Sequence, residues 1–270
     1  MKTLMKLLES CRSLTLWAKS LALLTATLGI FTLNACSDND LVVATSANFA
    51  PFEYIDGKEF KGIDMDIAEV IAKKLVIKDM EFDSVVTSLA SGNAHIALSG
   101  LTINDTRSKV IDFSQTYFSA SQMVITRAND TRFANITTKE ELLKTLQSIP
   151  NLKIGVQVGT AGEFYAKGDS DWGFEGFHNA QVKSFSNGAL AAIAMKNEQI
   201  DIVIIDEMPA REIVKANSGT QLIDIALTNE KYAIGIAPND KELKDSINAI
   251  LNEIRQDGTL ESIINKYYAQ

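Results

Sequence analysis

SVVTSLASGNAHIALSG, Ser84 to Gly100, sets out the fold in one segment. A stretch at helical spacing is interrupted by Gly92-Asn93, and an apolar run follows that stops abruptly at Ser99-Gly100. Amphipathic helix, polar break and buried strand form the repeating unit of an α/β fold. A second segment, GALAAIAMKNEQIDIVIID (Gly188–Asp206), has the same layout, with Lys196-Asn197 at the break and Asp206 at the strand end. Ligands of open α/β sheets sit beyond the carboxyl ends of the strands. The pair therefore predicts either two strand ends facing one cleft, or two ordinary βα units without a functional relation.

The same rhythm runs outward from these segments. LVVATS (Leu41–Ser46) reads as a buried strand, and NFAPFEYIDGKEFKG as a loop and hairpin turning at Gly57. Ile63, Ile67, Val70, Ile71 and Leu75 fall at helical spacing, with Asp64 and Asp66 in the first turn, where the helix dipole favours anions. Met80-Glu81-Phe82 is expected as the next short strand. LKIGVQVGTAGEFYAK (Leu152–Lys167) reads as strand, glycine turn and helix. Its Gly155, Gly159 and Gly162 do not form the dinucleotide fingerprint, although a helix starting near Thr160 presents N–H groups to an anion. DWGFEGF (Asp171–Phe177) is expected as loop, and two amphipathic helices separated by Asp257-Gly258 end the chain.

Met1–Cys36 carries a different signature. Lys2, Lys6, Arg12 and Lys19 precede a short apolar run, LALLTATLGIFTL, followed by Leu33-Asn34-Ala35-Cys36. This is an export-signal layout, and the run is shorter than the roughly 20 residues that span a bilayer. A small residue before Cys36 resembles a bacterial lipoprotein signal, which implies cleavage after residue 35 and lipid on the Cys36 thiol; an ordinary secretory signal with an incidental cysteine is the alternative. Cys11, the other cysteine, lies in the segment removed, so no internal disulfide is expected. Removal of four basic residues and Glu9 takes the formal charge from −8 to −11. An acidic exported body argues against nucleic-acid binding.

Two charged residues sit where strands deliver their ends. In SGLTINDTRSKVIDF (Ser99–Phe113), Asn104 or Asp105 can cap a helix whose first turns contain Arg107. A cation there opposes the helix dipole unless it reaches an anion beyond the helix end, and a guanidinium suits a carboxylate; pairing with Asp105 or Asp112 at the surface is the plain alternative. Asp206 ends an almost wholly apolar strand and requires a cation or good donors, which a ligand ammonium or the helix begun by EMPAREIV can supply. Phe49, Phe52, Tyr54 and Phe82 are core or stacking candidates. Enzyme patterns are missing: of the two histidines, His95 lies in an apolar run and reads as a satisfied core residue, and no zinc-protease, nucleophile-elbow or P-loop motif occurs. No metal or cofactor is implied.

ATSANFAPFEY, the Gly62–Asp66 run, SGLTINDTRSKVIDFSQTYF, IGVQVGTAGE, IDIVIIDEMPA and KYAIGIAP occur in this order. Together they resemble the extracytoplasmic amino-acid-binding proteins of ABC importers, the polar amino-acid group, from about Leu41 to Tyr268. The resemblance implies a two-lobed periplasmic-binding-protein fold of the type II kind, each lobe an α/β sheet flanked by helices, joined by two crossovers. It implies a signal peptide at 1–35, a linker at 36–40, one lobe at 41–117 plus 233–270, the other at 122–228, and hinges near 117–121 and 229–232. It gives Arg107 the ligand's α-carboxylate, with Thr102 adding its hydroxyl and N–H and Thr160 a donor from the second lobe. Asp206 and the Gly100 carbonyl would take the α-ammonium, and Phe49 and Phe82 would sandwich the side chain.

Ser46 stands where several relatives carry an acid, so Asn48, Glu53 and Gln157 are the remaining acceptors. Arginine or lysine is the favoured ligand, with glutamine or cystine next. The implied partners are a free L-amino acid, a membrane permease with its ATPase, and the membrane through Cys36; the chain is expected as a monomer without nucleic acid. Rival expectations are an enzyme of the cyclohexadienyl-dehydratase type, with Glu53 as its acid, and a surface adhesin or sensor.

Overall fold

In the computed structural model, which describes residues 40–268, the segment from Leu41 onward is built on two five-stranded sheets of matching topology. The export-signal and Cys36 expectations lie outside the described residues. The first sheet has the order β5-β1-β6-β13-β7, formed by β1 (Leu41–Thr45), β5 (Leu75–Asp79), β6 (Ile96–Ala97), β7 (Asp112–Ala120) and β13 (Glu230–Ile236). The second has the order β10-β9-β11-β8-β12, formed by β8 (Gln122–Arg127), β9 (Leu152–Gln157), β10 (Ala180–Phe185), β11 (Ile202–Asp206) and β12 (Thr220–Ile223). β2 (Asn48–Phe49), β3 (Glu53–Asp56) and β4 (Glu59–Lys61) form a small third sheet over the end of β1.

Each large sheet joins a run of parallel strands to an antiparallel strand from elsewhere in the chain. β1 is parallel to β5 and β6, and β13 closes antiparallel on β6. Likewise β9 is parallel to β10 and β11, and β8 closes antiparallel on β11. The two sequence echoes occupy equivalent places, since β6 and β11 are each the third parallel strand beside the foreign one. They are a topological repeat.

The chain passes between sheets twice. Ser121 alone separates β7 from β8, and residues 224–229 link β12 to β13. β13 returns beside β7, pairing Tyr232 with Phe118 and Lys231 with Ser119, so the strands that lead across lie together at one side.

Helices cover the sheets as the apolar spacing predicts: α1 (Ile63–Ile71), α2 (Phe82–Ala90), α3 (Asp105–Ser108), α4 (Lys139–Ser148), α5 (Ala161–Lys167), α6 (Gly188–Lys196), α7 (Glu207–Ala216), α8 (Lys241–Gln256) and α9 (Thr259–Tyr268). Val43, Ile63, Ile67, Ile96, Leu98, Ile234, Ile247 and Leu251 share one fully buried cluster, each side chain contributing about 1.5–3 kcal/mol. Among the described residues no helix is long and apolar enough to cross a membrane.

Two expected elements are corrected. Leu75 does not continue α1, which ends at Ile71 with Ala72 extended; Leu75 begins β5 and pairs with Leu41. Met80-Glu81-Phe82 is not a strand, because Glu81 is the N-cap of α2 and Phe82 its first residue. The Ile71–Leu75 interval mimics a helical step, but sheet pairing of Leu75–Asp79 with β1 overrides it.

Gly62 joins the hairpin to α1 at φ +126, and a Cβ there would meet the Phe52 carbonyl oxygen at 2.1 Å. Gly62→Ala is therefore expected to destabilise the protein by about 3 kcal/mol or more, and Gly57→Ala, at φ +66 in open space, by about 1 kcal/mol. Thermal or denaturant unfolding checks this; equal losses in the two variants would contradict it.

Candidate functional site

The carboxyl ends of β1, β6, β9 and β11 deliver Ser46, Ser99-Gly100, Gln157 and Asp206, and all of these except Gly100 rank among the buried polar groups. Polar contacts join the two sheets here. Gln157 Nε2 donates to Asn48 Oδ1 at 3.3 Å, and Asn48 Nδ2 to Ser46 Oγ at 3.4 Å.

Arg107 reaches this interior because α3 is short and firmly capped. Asn104 Oδ1 accepts from the Arg107 backbone N–H at 2.7 Å, which turns the chain sharply after β6. Arg107 is 7% exposed. Its Nη1 donates to the Thr102 carbonyl at 2.7 Å and its Nη2 to the Gly159 carbonyl of the second-sheet lobe at 3.0 Å. Phe82 and Trp172 lie 5.5 and 5.1 Å from its Cζ. Loss of hydration lowers its pKa to about 10, with Glu230, Asp206 and Tyr232 acting in the opposite sense. The surface alternative for Arg107 is thereby removed: it pairs with neither Asp105 nor Asp112.

Asp206 is 4% exposed and accepts a short hydrogen bond from the Tyr232 hydroxyl. Although it precedes α7, its side chain makes no capping bond. Burial, followed by the field of Glu230, raises its pKa to about 7. Arg107 and Asp206 thus sense each other within one buried region while each keeps a different neutral partner.

The remaining residues fall around this pair. Gly100 has φ +51 and donates its N–H to Asp64 Oδ2 at 2.8 Å; a Cβ there would meet the Phe49 ring at 3.0 Å, so only glycine lets that ring lie against the strand end. Thr102 donates its hydroxyl to Glu230 Oε2 at 3.0 Å. Thr160 caps α5 and donates its hydroxyl to the Gln157 carbonyl at 2.7 Å. The Ser46 N–H donates to Ser99 Oγ at 3.0 Å, and Ser99 Oγ donates to Glu53 Oε1 at 2.8 Å. Glu53 is wholly buried, its pKa pushed well up by desolvation and then by Asp64. Its Oε2, like Gln157 Oε1, is a buried acceptor without a donor. His95 accepts from the Val42 N–H through Nδ1 at 3.0 Å, so it is satisfied as expected, but it is half-buried just before β6 rather than a core residue.

Sequence reasoning missed several members. Asp64 is a buried strut rather than a dipole partner: besides Gly100 it accepts from the Tyr117 hydroxyl at 2.7 Å, and burial raises it to about 7. Glu230 also accepts from Thr228 Oγ1 at 2.6 Å, and Tyr232 is fully buried. A tyrosine inside the apolar run KYAIGI and an acid at its start are the signals that point to them. Trp172, on a 3-10 turn (Ser170–Trp172), carried no such signal.

The comparisons agree with this architecture. Residues 41–270 match the bacterial extracellular solute-binding proteins, family 3, and the chain belongs to that family. The arginine-binding extracellular protein ArtP of Bacillus subtilis is 29% identical over 266 residues, covering 93% of this chain and 98% of the relative. The substrate-binding protein AbpA of a Streptococcus pneumoniae amino-acid ABC transporter, bound to L-arginine, superposes with a TM-score of 0.73 at 30% identity, over 85% of this chain and 94% of that one. An ancestral amino-acid-binding protein described as a precursor of cyclohexadienyl dehydratase gives 0.74 at 28%, over 84% and 95%.

The carboxyl of Asp206 is expected to take up its proton with a midpoint near pH 7 in the unliganded protein. Carboxyl-carbon NMR of labelled aspartate, assigned by Asp206→Asn, measures it; a midpoint near 4, as for an exposed aspartate, would contradict the burial argument.

Proposed function

We propose that the protein captures a free basic amino acid, arginine before lysine, between its two lobes and hands it to the permease and ATPase of an ABC importer. The observation that carries this reading is the buried pair of opposite charge, Arg107 on the first-sheet lobe and Asp206 at the end of β11 on the second. A zwitterion offers a carboxylate to one and an ammonium to the other, each a charge-assisted hydrogen bond worth about 1.5–3 kcal/mol. Thr102 and Thr160 add donors for the carboxylate once their hydroxyls turn from Glu230 Oε2 and the Gln157 carbonyl, the Gly100 carbonyl is an acceptor for the ammonium, and Phe49 and Phe82 flank the side chain. Ser46 and Gln157, with Asn48, line the far end.

The preference for a cationic side chain rests on charge and on acceptors. Among the described residues Arg107 is the buried cation, against the buried carboxyl groups of Glu53, Asp64, Asp206, Glu230 and Glu163, the last paired with Lys167. Gln157 Oε1 is a buried acceptor awaiting a donor. The names of ArtP and AbpA's ligand point the same way. Glutamine and cystine would use the same clamp without answering the surplus of acid. An elimination enzyme would use Glu53 as its acid, but one oxygen of that carboxyl is held by the Ser99 hydroxyl. The sensor or adhesin role draws no support from a specific residue.

Lobe boundaries at 41–117 plus 233–270 and at 122–228, with hinges near 117–121 and 229–232, accompany this reading. So do signal cleavage after residue 35 and lipid anchoring through Cys36, which would hold a monomer on the cell membrane, facing the periplasm or the cell exterior.

Isothermal titration of the full chain with L-arginine is expected to give micromolar affinity or tighter, about 8 kcal/mol. Arg107→Ala and Asp206→Asn are each expected to weaken it at least about 100-fold with circular dichroism unchanged, since each leaves a ligand charge buried and unpaired. Near-wild-type affinity in either variant overturns the proposal.

Affinity also depends on pH. The ammonium needs Asp206 ionised, and burial raises the free-site pKa to about 7. Binding lowers that pKa, so affinity is full above pH 7 and falls about tenfold per pH unit below it. A flat profile between pH 7 and 5.5 contradicts this.

A further inference from the structure

Trp172 belongs to no part of the amino-acid clamp so far described, yet it is built into place. Asp169 Oδ1 accepts from the N–H groups of Asp171 and Trp172 at 2.9 and 3.2 Å. Asp169 and Phe174 close the loop with a pair of backbone bonds at 2.8 and 2.9 Å. The indole stacks on Phe164 of α5 at 4.9 Å, and Phe174 lies 5.9 Å away. The second-sheet lobe thus holds the ring in a fixed pose, and that pose puts the Arg107 guanidinium of the other lobe 5.1 Å from the ring centre. The neighbouring Asp171 reaches the same helix, with Oδ2 3.4 Å from Thr106 Oγ1 and 3.5 Å from Lys109 Nζ.

From this geometry we propose that Trp172 is a positioning residue for Arg107: presented by the second lobe, it covers the guanidinium and completes the carboxylate clamp only when the lobes close. The reasoning is chemical. A guanidinium presents five N–H donors at its edge and none at its faces, so an aromatic ring can cover a face without competing with a carboxylate for the edge. Phe82 supplies such a ring from the first lobe at 5.5 Å, whereas the indole comes from the opposite lobe. With Trp172 in place water is excluded beside the ion pair, which strengthens it and delays opening. The exposed Lys109–Asp171 pair aligns the loop and contributes little by itself.

The inference rests on the amino-acid-binding reading, and the test separates the two. The full chain carrying Trp17→Phe has Trp172 as its sole tryptophan. With release followed by chase of bound radiolabelled L-arginine, Trp172→Leu is expected to raise the dissociation rate roughly 3- to 30-fold, the equivalent of a desolvated cation–π contact, with the association rate little changed. Trp172→Phe should recover most of the loss. In the Trp17→Phe chain, acrylamide quenching of Trp172 should fall when arginine is added, a readout that does not depend on either variant folding.

Equal kinetics in Trp172→Leu and the parent overturn the inference and leave the binding reading standing. So do equal losses in the Leu and Phe variants, or quenching indifferent to a ligand that titration shows to be bound. If the parent binds neither arginine nor any other amino acid, the binding reading fails and the inference fails with it.

Discussion

A guanidinium withdrawn from water is the constraint around which the cleft is organised. Dehydrating Arg107 costs several kcal/mol unless its donors and its charge are answered. Two backbone carbonyls, one from each lobe, answer part of the donor fork; Phe82 and Trp172 lie against it; Glu230 and Asp206 supply field rather than contact. No carboxylate of the described residues ion-pairs with it. A cation so placed is costly to the folded chain and useful to an incoming carboxylate, which is the balance expected of a binding site rather than of a stabilising salt bridge.

The complementary jaw obeys the same logic with the sign reversed. Asp206, buried at a strand end and bonded to the Tyr232 hydroxyl, is pushed toward its neutral form. On the proposed reading an ammonium arriving there restores the ionised form. The two groups stand on lobes whose chain connections pass through Ser121 and residues 224–229, so on that reading neither is served well unless the lobes come together. On the same proposed reading, closure, dehydration and recognition of a zwitterion are a single event, of the hinge-closing type.

The fold was legible where local pattern and tertiary pairing agree. Ser84–Gly100 and Gly188–Asp206 announce helix, break and strand, and the sheets use them in equivalent positions. Leu75 was misplaced because its spacing from Ile71 satisfies a helix, while the decision belongs to its partner Leu41, far back in the chain. In the site, Arg107, Gly100 and Asp206 were legible because charge or glycine at the end of an apolar strand is locally anomalous. Glu230, Tyr232 and Trp172 were not, since they meet the clamp only through the second chain crossing and a loop from the other lobe. The Thr102 hydroxyl was expected to face a ligand, and its partner in the structure, Glu230, stands 128 residues away.

Ligand truncation asks most directly whether both jaws must be filled. Calorimetry should compare L-arginine with agmatine, which lacks the carboxylate, and with 5-guanidinopentanoic acid, which lacks the ammonium. The account predicts that each truncated molecule binds at least about 100-fold more weakly than arginine, because each leaves one buried charge unanswered. Binding of either analogue within a few fold of arginine would contradict it.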